Sequence, residues 1–168
     1  VERVTRPRVV LNLKIRMIKK EMVSLVTQMQ RRWANIVIEI GQEYKKKNNV
    51  DKLTSELMQK IYAFDYCDVL FKPTLAKEDQ FRSSKEEFLS YFLGQNNMCK
   101  EDSGFAIKNW KSIKFENYKI IEHHNYLLSM GNYFFENQEK ELLKVEYTFG
   151  FIKINSNELR INLHHSSL

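Results

Sequence analysis

The chain has 168 residues, 43% of them hydrophobic and 12% aromatic, and carries a formal net charge of +6. Those values fit one globular domain with a sizeable core and exclude a disordered chain. No apolar run approaches the ~20 residues of a membrane-spanning helix. The charge is uneven: residues 1–49 hold 12 Lys/Arg against 4 Asp/Glu, and residues 50–168 hold 15 against 17. The basic excess therefore lies in the N-terminal stretch, which argues against a nucleic-acid surface on the folded body.

Residues 1–14, with Arg3, Arg6, Pro7 and Arg8, read as an extended basic arm or linker, because proline disfavours helix around it. The chain starts at Val1 without an initiator Met, so excision from a longer precursor is expected, with any targeting segment removed. From Ile15 to Lys47 the apolar residues Ile18, Met22, Leu25, Met29, Trp33, Ile36, Ile40 and Tyr44 recur at intervals of 3 and 4. That is the period of a long amphipathic helix. Lys45-Lys46-Lys47 complements the negative end of its dipole. Asn48-Asn49 breaks it, and Asp51 caps a second helix over 52–63.

Residues 66–74 read as extended, ending at Pro73. Ser83 or Ser84 with Glu86 or Glu87 opens a third helix that carries Phe88 to Leu93 and stops at Gly94. After Gly104 the pattern becomes that of strands, over 110–121, 126–136, 142–154 and 158–167. The second of these carries Tyr126, Leu128, Met130 and Phe134. Polar turns at 137–139 and 155–157 are of hairpin length. Helices followed by an antiparallel meander give an α+β fold, a cone in which the long helix lies on a curved sheet and encloses a cavity. The domain is expected to span 15–168.

The last strand carries the chemistry. Leu159, Ile161 and Leu163 alternate with polar residues, and strict alternation extends their row to His165 and Ser167. The other row, Arg160, Asn162, His164 and Ser166, then faces outward; a frayed polar terminus is the plain alternative. The histidines fall in two adjacent pairs, and Cys67 and Cys99 are far apart. No H-x-x-x-H or C-x-x-C spacing gathers metal ligands. No cofactor is expected, and Mn2+ would have no ligand motif to hold it. Two unpaired thiols suit an intracellular, reducing compartment, the cytoplasm or an organelle such as a plastid or mitochondrion.

Several stretches together carry a resemblance. Phe71-Lys-Pro-Thr74, Gln80-Phe-Arg82, Ser90-Tyr-Phe92, Gly104-Phe-Ala106, Phe115-Glu-Asn117, Met130-Gly-Asn-Tyr133, Val145-Glu-Tyr-Thr-Phe-Gly150 and Leu163-His-His-Ser-Ser167 occur in the order seen in iota-class carbonic anhydrases. That family resembles the association domain of calcium/calmodulin-dependent kinase II, within the NTF2-like, SnoaL-like superfamily. Two positions depart from the pattern: Gln95, where a second glycine often stands, and Asn109, where proline is frequent. The resemblance implies an NTF2-like cone and a lyase that hydrates CO2 to bicarbonate, in several members without metal.

Carried over, the catalytic residues are His165, Ser167, Thr74 and Tyr91. Substrate binding falls to Thr74, Tyr91, Ser167 and Tyr147, beside an aromatic wall of Trp33, Phe134, Tyr147 and Phe149. His165 and Ser167 are chosen over His164 and Ser166 because they continue the apolar row. A neutral His165 would accept a proton from water directly or through another water. The hydroxyls would orient CO2 and stabilise the bicarbonate oxygens. The expected partner is this small molecule, with no nucleic acid and no membrane, in a homodimer. The alternatives are a non-catalytic oligomerisation or scaffold module of the kinase association-domain type, and an isomerase or cyclase using Asp65 or Asp68 in the pocket.

Overall fold

A computed structural model describes residues 6–168 except Ser83, Gln95 and Asn97, with the side chains of the first helix described from Lys20 onward. The departure at Gln95 and the first five residues of the expected arm lie outside the described residues. Helix α1 spans Arg6–Lys45, so most of the stretch expected as an extended arm is helical. Pro7 is tolerated because it sits in the first turn, where a backbone N–H has no partner within the helix anyway. The buried stripe of α1 runs through Val26, Met29, Trp33, Val37 and Ile40, one face of a 3.6-residue period. Gly41 lets the helix touch the chain at Ala106 and Asn109, where a Cβ would meet the Ala106 carbonyl at 2.6 Å.

The second helix, α2 (Asp51–Glu56), runs directly into a π-helical turn, Leu57–Ile61. The turn closes with the Tyr62 amide donating to the Leu57 carbonyl at 3.1 Å. Such turns shift the side chains that follow them relative to a regular helix, and here Tyr62 is delivered to the interior, fully buried. Helix α3 (Lys85–Leu93) starts with a capping box between Ser84 and Glu87 and ends at Gly94 in the left-handed region, φ 67°. A short 3-10 turn, Ala106–Lys108, ends at Asn109 with φ 59°. Asparagine tolerates that conformation, whereas proline is locked near −65°. The departure from proline is thus matched by a different local backbone.

Strands β1 (Leu70–Lys72), β2 (Ser112–His123), β3 (Tyr126–Glu136), β4 (Leu142–Asn155) and β5 (Glu158–Ser167) form one sheet in the order β1-β5-β4-β3-β2. All pairings are antiparallel except that β1 lies parallel to β5. The α+β architecture expected from the periodicities is the one observed.

Two register shifts shape the sheet. On β2, Asn117 pairs with Gly131 and Lys119 with Met130, leaving Tyr118 as an extra residue. Gly131 accommodates this bulge, since a Cβ there would lie 2.1 Å from the Glu116 carbonyl. On β5, Ile161 pairs with Phe151 and Leu163 with Gly150, so Asn162 is the extra residue. A one-residue bulge reverses the alternation beyond it. Leu159 and Ile161 are buried before it, and His164 and Ser166 after it.

On β3 the inner row is not the one that holds Tyr126, Leu128, Met130 and Phe134. Leu127, Ser129, Tyr133 and Phe135 are buried, while Met130 is 53% exposed and Phe134 lies in the outer row. Both rows of this strand are rich in apolar residues, so its pattern alone does not fix which one faces the core.

Candidate active site

Five segments meet around Trp33: α1, the π-helical turn, the loop after β1, α3 and the end of β5. Trp33 projects from α1 into the middle and is 1% exposed. Its ring lies within 6.4 Å, centroid to centroid, of Phe92, Phe115, Tyr133, Phe135, Phe149 and the His164 imidazole. Edge-on contacts of this kind add to the area such rings bury.

A chain of polar groups runs through these rings. The Trp33 Nε1–H donates to the Tyr62 hydroxyl at 3.0 Å, and that hydroxyl lies 2.6 Å from His164 Nδ1. His164 Nε2 is 2.8 Å from Ser166 Oγ and 3.3 Å from the Tyr133 hydroxyl. Ser166 Oγ and the Tyr133 hydroxyl are 2.5 Å apart. From outside, Lys72 Nζ donates to the Ser166 carbonyl at 2.9 Å, fixing the strand end.

Beyond this chain lies a narrow cavity bounded by Thr74, Tyr91, Tyr133, His164 and Ser166 on the polar side and by Trp33, Phe71 and Phe105 among the apolar walls. It holds about 170 Å³ counting all space between atoms. As the side chains stand, no water-sized sphere fits within it. The Tyr91 hydroxyl is buried without a hydrogen-bond partner, although Thr74 and the Leu75 backbone lie beside it. Tyr91 and Phe105 also line a second, outer pocket next to Lys108. Tyr91 therefore stands in the partition between the cavity and the surface, with its hydroxyl beside Thr74.

The loop that carries Thr74 is tied down by charge. The Glu101 carboxylate accepts from the backbone amides of Lys77, Glu78 and Asp79. Arg82, 1% exposed, pairs with Asp102 through two bonds of 2.7 and 3.2 Å and donates to the Asp79 carbonyl. The Phe105 amide in turn donates to the Tyr91 carbonyl at 2.8 Å. One network thus spans from the Thr74 loop to the Tyr91 helix.

The structure brings some of the expected residues together and separates others. Thr74 and Tyr91 line the cavity together. His165 and Ser167 do not: His165 is exposed, Ser167 half-buried, and both line an open groove on the outer face of the sheet with Tyr118 and Thr148. The residues in the cavity are His164 and Ser166, because the bulge at Asn162 interrupts the alternation used to choose between the pairs.

Tyr147 is buried, but its hydroxyl belongs to a separate network, accepting from Gln30 Nε2 at 2.9 Å and donating to Asn117 Oδ1 at 2.6 Å. Of the expected aromatic wall, Trp33 and Phe149 face the polar chain, and Phe134 does not. Asp65 pairs with Lys85 at the surface and Asp68 is exposed, so neither supplies a pocket carboxylate. Tyr62 and Tyr133 were missed as site residues. Tyr133 stood within the Met130–Tyr133 motif; Tyr62 carried no local signal.

Burial sets the protonation states. It pushes the Tyr62, Tyr91 and Tyr133 hydroxyls well above the ordinary phenol value, so all three keep their protons at neutral pH. It holds the His164 imidazole well below its ordinary value, with His165 adding to the effect, so the ring is neutral. In the unfolded chain His164 takes up a proton below about pH 6.5. The unfolded state then binds the extra proton, so stability falls as pH drops below that value, by up to about 1.4 kcal/mol per pH unit, and is unaffected above it. Thermal melts at pH 7.5 and 5.5 should show this loss in the native protein and a smaller one in His164→Gln.

Helices packed on a curved sheet around a narrow cavity of hydroxyls and one neutral imidazole define a cone-shaped α+β domain. The sequence model of a family described as metal-independent carbonic anhydrase matches residues 24–168, and the chain belongs to that family. It is 32% identical over 148 residues to a metal-independent carbonic anhydrase of Nostoc sp. strain PCC 7120, covering 86% of this chain and 72% of that protein. It is also similar to the crystal structure of a cyanobacterial iota-carbonic anhydrase complexed with bicarbonate. That match has a TM-score of 0.81 and 31% identity, covering 86% of this chain and 90% of that one. A Xanthomonas campestris protein described as a calcium/calmodulin dependent protein kinase II association domain matches with a TM-score of 0.55 and 20% identity over 84% of each chain, and shares the fold alone. Among the described residues, no three His, Cys, Asp or Glu side chains are grouped so as to hold a metal ion.

Proposed function

We propose that this protein hydrates CO2 reversibly to bicarbonate, without a metal, in the cavity between Trp33 and the end of β5. The observation that carries the reading is the convergence of Thr74, Tyr91, Tyr133 and Ser166 hydroxyls with His164 on one narrow cavity, in a chain of the metal-independent carbonic anhydrase family. Water adds its oxygen to the carbon of CO2, one C–O π pair moves onto an oxygen, and the water's proton passes to solvent or dissolved buffer. The hydroxyls lie where they can donate to the oxygen on which charge develops. Such donors are worth most in a site that excludes water. Tyr91 stands between this cavity and the outer pocket, so its side chain bounds the way in. Stopped-flow CO2 hydration by the purified, chelator-treated protein should exceed the buffer rate; a rate equal to buffer would remove the reading.

The outer face of the sheet supports a homodimer. Tyr118 is 84% exposed, Met130 53% and Ile121 47%, and their neighbours form the groove that holds His165 and Ser167. Large apolar side chains exposed on one sheet face are a common mark of a protein–protein contact. Sedimentation of the native protein should give twice the chain mass, and Met130→Glu should shift it to one. Two free cysteines, Cys67 exposed and Cys99 buried, support an intracellular location. The nearly balanced charge of residues 50–168 supports a protein that does not bind nucleic acid, and no described helix is long and apolar enough to cross a membrane.

A further inference from the structure

The polar chain that begins at Trp33 has a direction, and counting its protons fixes it. Indole nitrogen only donates, so the Tyr62 oxygen accepts from Trp33 Nε1–H at 3.0 Å. The hydroxyl proton of Tyr62 then needs an acceptor of its own. Among the described residues, the other group in hydrogen-bond contact with that hydroxyl is His164 Nδ1, at 2.6 Å. The imidazole is neutral and carries one N–H. If Nδ1 accepts from Tyr62, the proton of the ring is on Nε2, where Ser166 Oγ at 2.8 Å and the Tyr133 hydroxyl at 3.3 Å receive it.

The opposite form would place both Trp33 Nε1–H and His164 Nδ1–H on the Tyr62 oxygen. The Tyr62 proton would then be stranded in a fully buried site. A buried donor without an acceptor disfavours that form by about tenfold or more in population.

We propose that Tyr62, held by Trp33, locks His164 in the Nε2–H form, so that the histidine acts in CO2 hydration as a hydrogen-bond donor and not as the base that takes a proton from water. Tyr62 and Trp33 are positioning residues: they act on the cavity through His164. The consequence reaches the cavity through Ser166. Its oxygen accepts from His164, and Ser166 and Tyr133 have two hydroxyl protons between them. One bridges the 2.5 Å gap between their oxygens. The other points into the cavity, on the side where Thr74 and the Tyr91 hydroxyl also stand. The cavity is then a cluster of donors, matched to the oxygens of bicarbonate rather than to the proton of water.

This inference rests on the carbonic anhydrase reading for its catalytic half and on geometry alone for its tautomer half, and the two are tested separately. In protein carrying 15N-histidine at pH 8, the His164 resonance, assigned by its loss in His164→Gln, should show a protonated Nε2 and a bare Nδ1. Tyr62→Phe should convert it to a mixture of the two forms. A protonated Nδ1, or an imidazolium, in the native protein would overturn the lock whatever the activity.

For catalysis, glutamine at position 164 can place an amide N–H near where Nε2–H stood, yet it cannot act as a base. His164→Gln should stay within about tenfold of native CO2 hydration, while His164→Ala should lose about a hundredfold. Equal losses in both, in proteins that melt at matching temperatures, would overturn the donor role. If the native protein itself shows no hydration, the function reading fails, and the 15N measurement still decides the tautomer.

Discussion

Replacing Ser166 by alanine should lower CO2 hydration about a hundred- to a thousandfold, while the same change at Ser167 should leave the rate within about twofold. Ser166 is 1% exposed and touches His164 and Tyr133 inside the cavity. Removing its oxygen takes away both the acceptor for His164 Nε2–H and one of the donors facing the developing charge. A single donor to such a charge contributes about 3–4 kcal/mol to the barrier, because in a closed site no water substitutes for it.

Ser167 faces the groove on the other side of the sheet, where water does substitute. The fold should survive both changes. Ser166→Ala leaves two polar groups with fewer partners, at about 1–3 kcal/mol, and keeps the bond from Lys72, which goes to the backbone carbonyl. Stopped-flow assays of the two variants, each checked by thermal melting, decide the matter. A dead Ser167→Ala with an active Ser166→Ala would place the reaction on the outer face.

Asp102→Ala should destabilise the protein by about 3 kcal/mol or more and reduce activity with it. Arg82 and Asp102 have side chains 0% and 2% exposed, so removing the carboxylate leaves a guanidinium in a site closed to water. Breaking one half of such a pair costs more than removing both. Glu101, 3.6 Å from Arg82 Nη2, relieves the charge only in part.

The loss should reach the cavity because the same knot holds the loop after Thr74 against the segment that leads to Phe105 and Tyr91. A double variant, Arg82→Met with Asp102→Leu, should recover most of the stability lost by Asp102→Ala alone. Urea denaturation of the three variants measures this. A double variant no more stable than Asp102→Ala would show that the pair matters for its shape and hydrogen bonds rather than for its balanced charge.

The contrast between Ser166 and Ser167 also shows where reading the chain stops. The spacing of 3 and 4 along Met22 to Ile40 placed α1, and its Trp33 at the centre of the stripe, because a helix can bury only one face. Alternation and turn residues placed β2 to β5 within a residue or two, because hairpin connections leave little freedom. The motif around Pro73-Thr74 and the helix holding Tyr91 marked two of the cavity residues.

Alternation failed at the last strand for a physical reason: it holds only while the ladder is regular. Asn162 has no feature that marks it as the extra residue, since a bulge is created by the partner strand and its register. The same limit applies to β3, where both rows are apolar enough to be buried.

The sequence by itself determined the body of the long helix and its buried face, the third helix, the four long strands, their order and the family. Period and turn chemistry are local, and each element is long enough to express them. Tertiary structure alone decided which histidine and serine enter the cavity, that Tyr62 arrives there from a π-helical turn, and which way the protons in that chain run. Each of these depends on contacts between residues far apart in the chain, such as Tyr62 with His164, and on a register shift that only the paired strand defines.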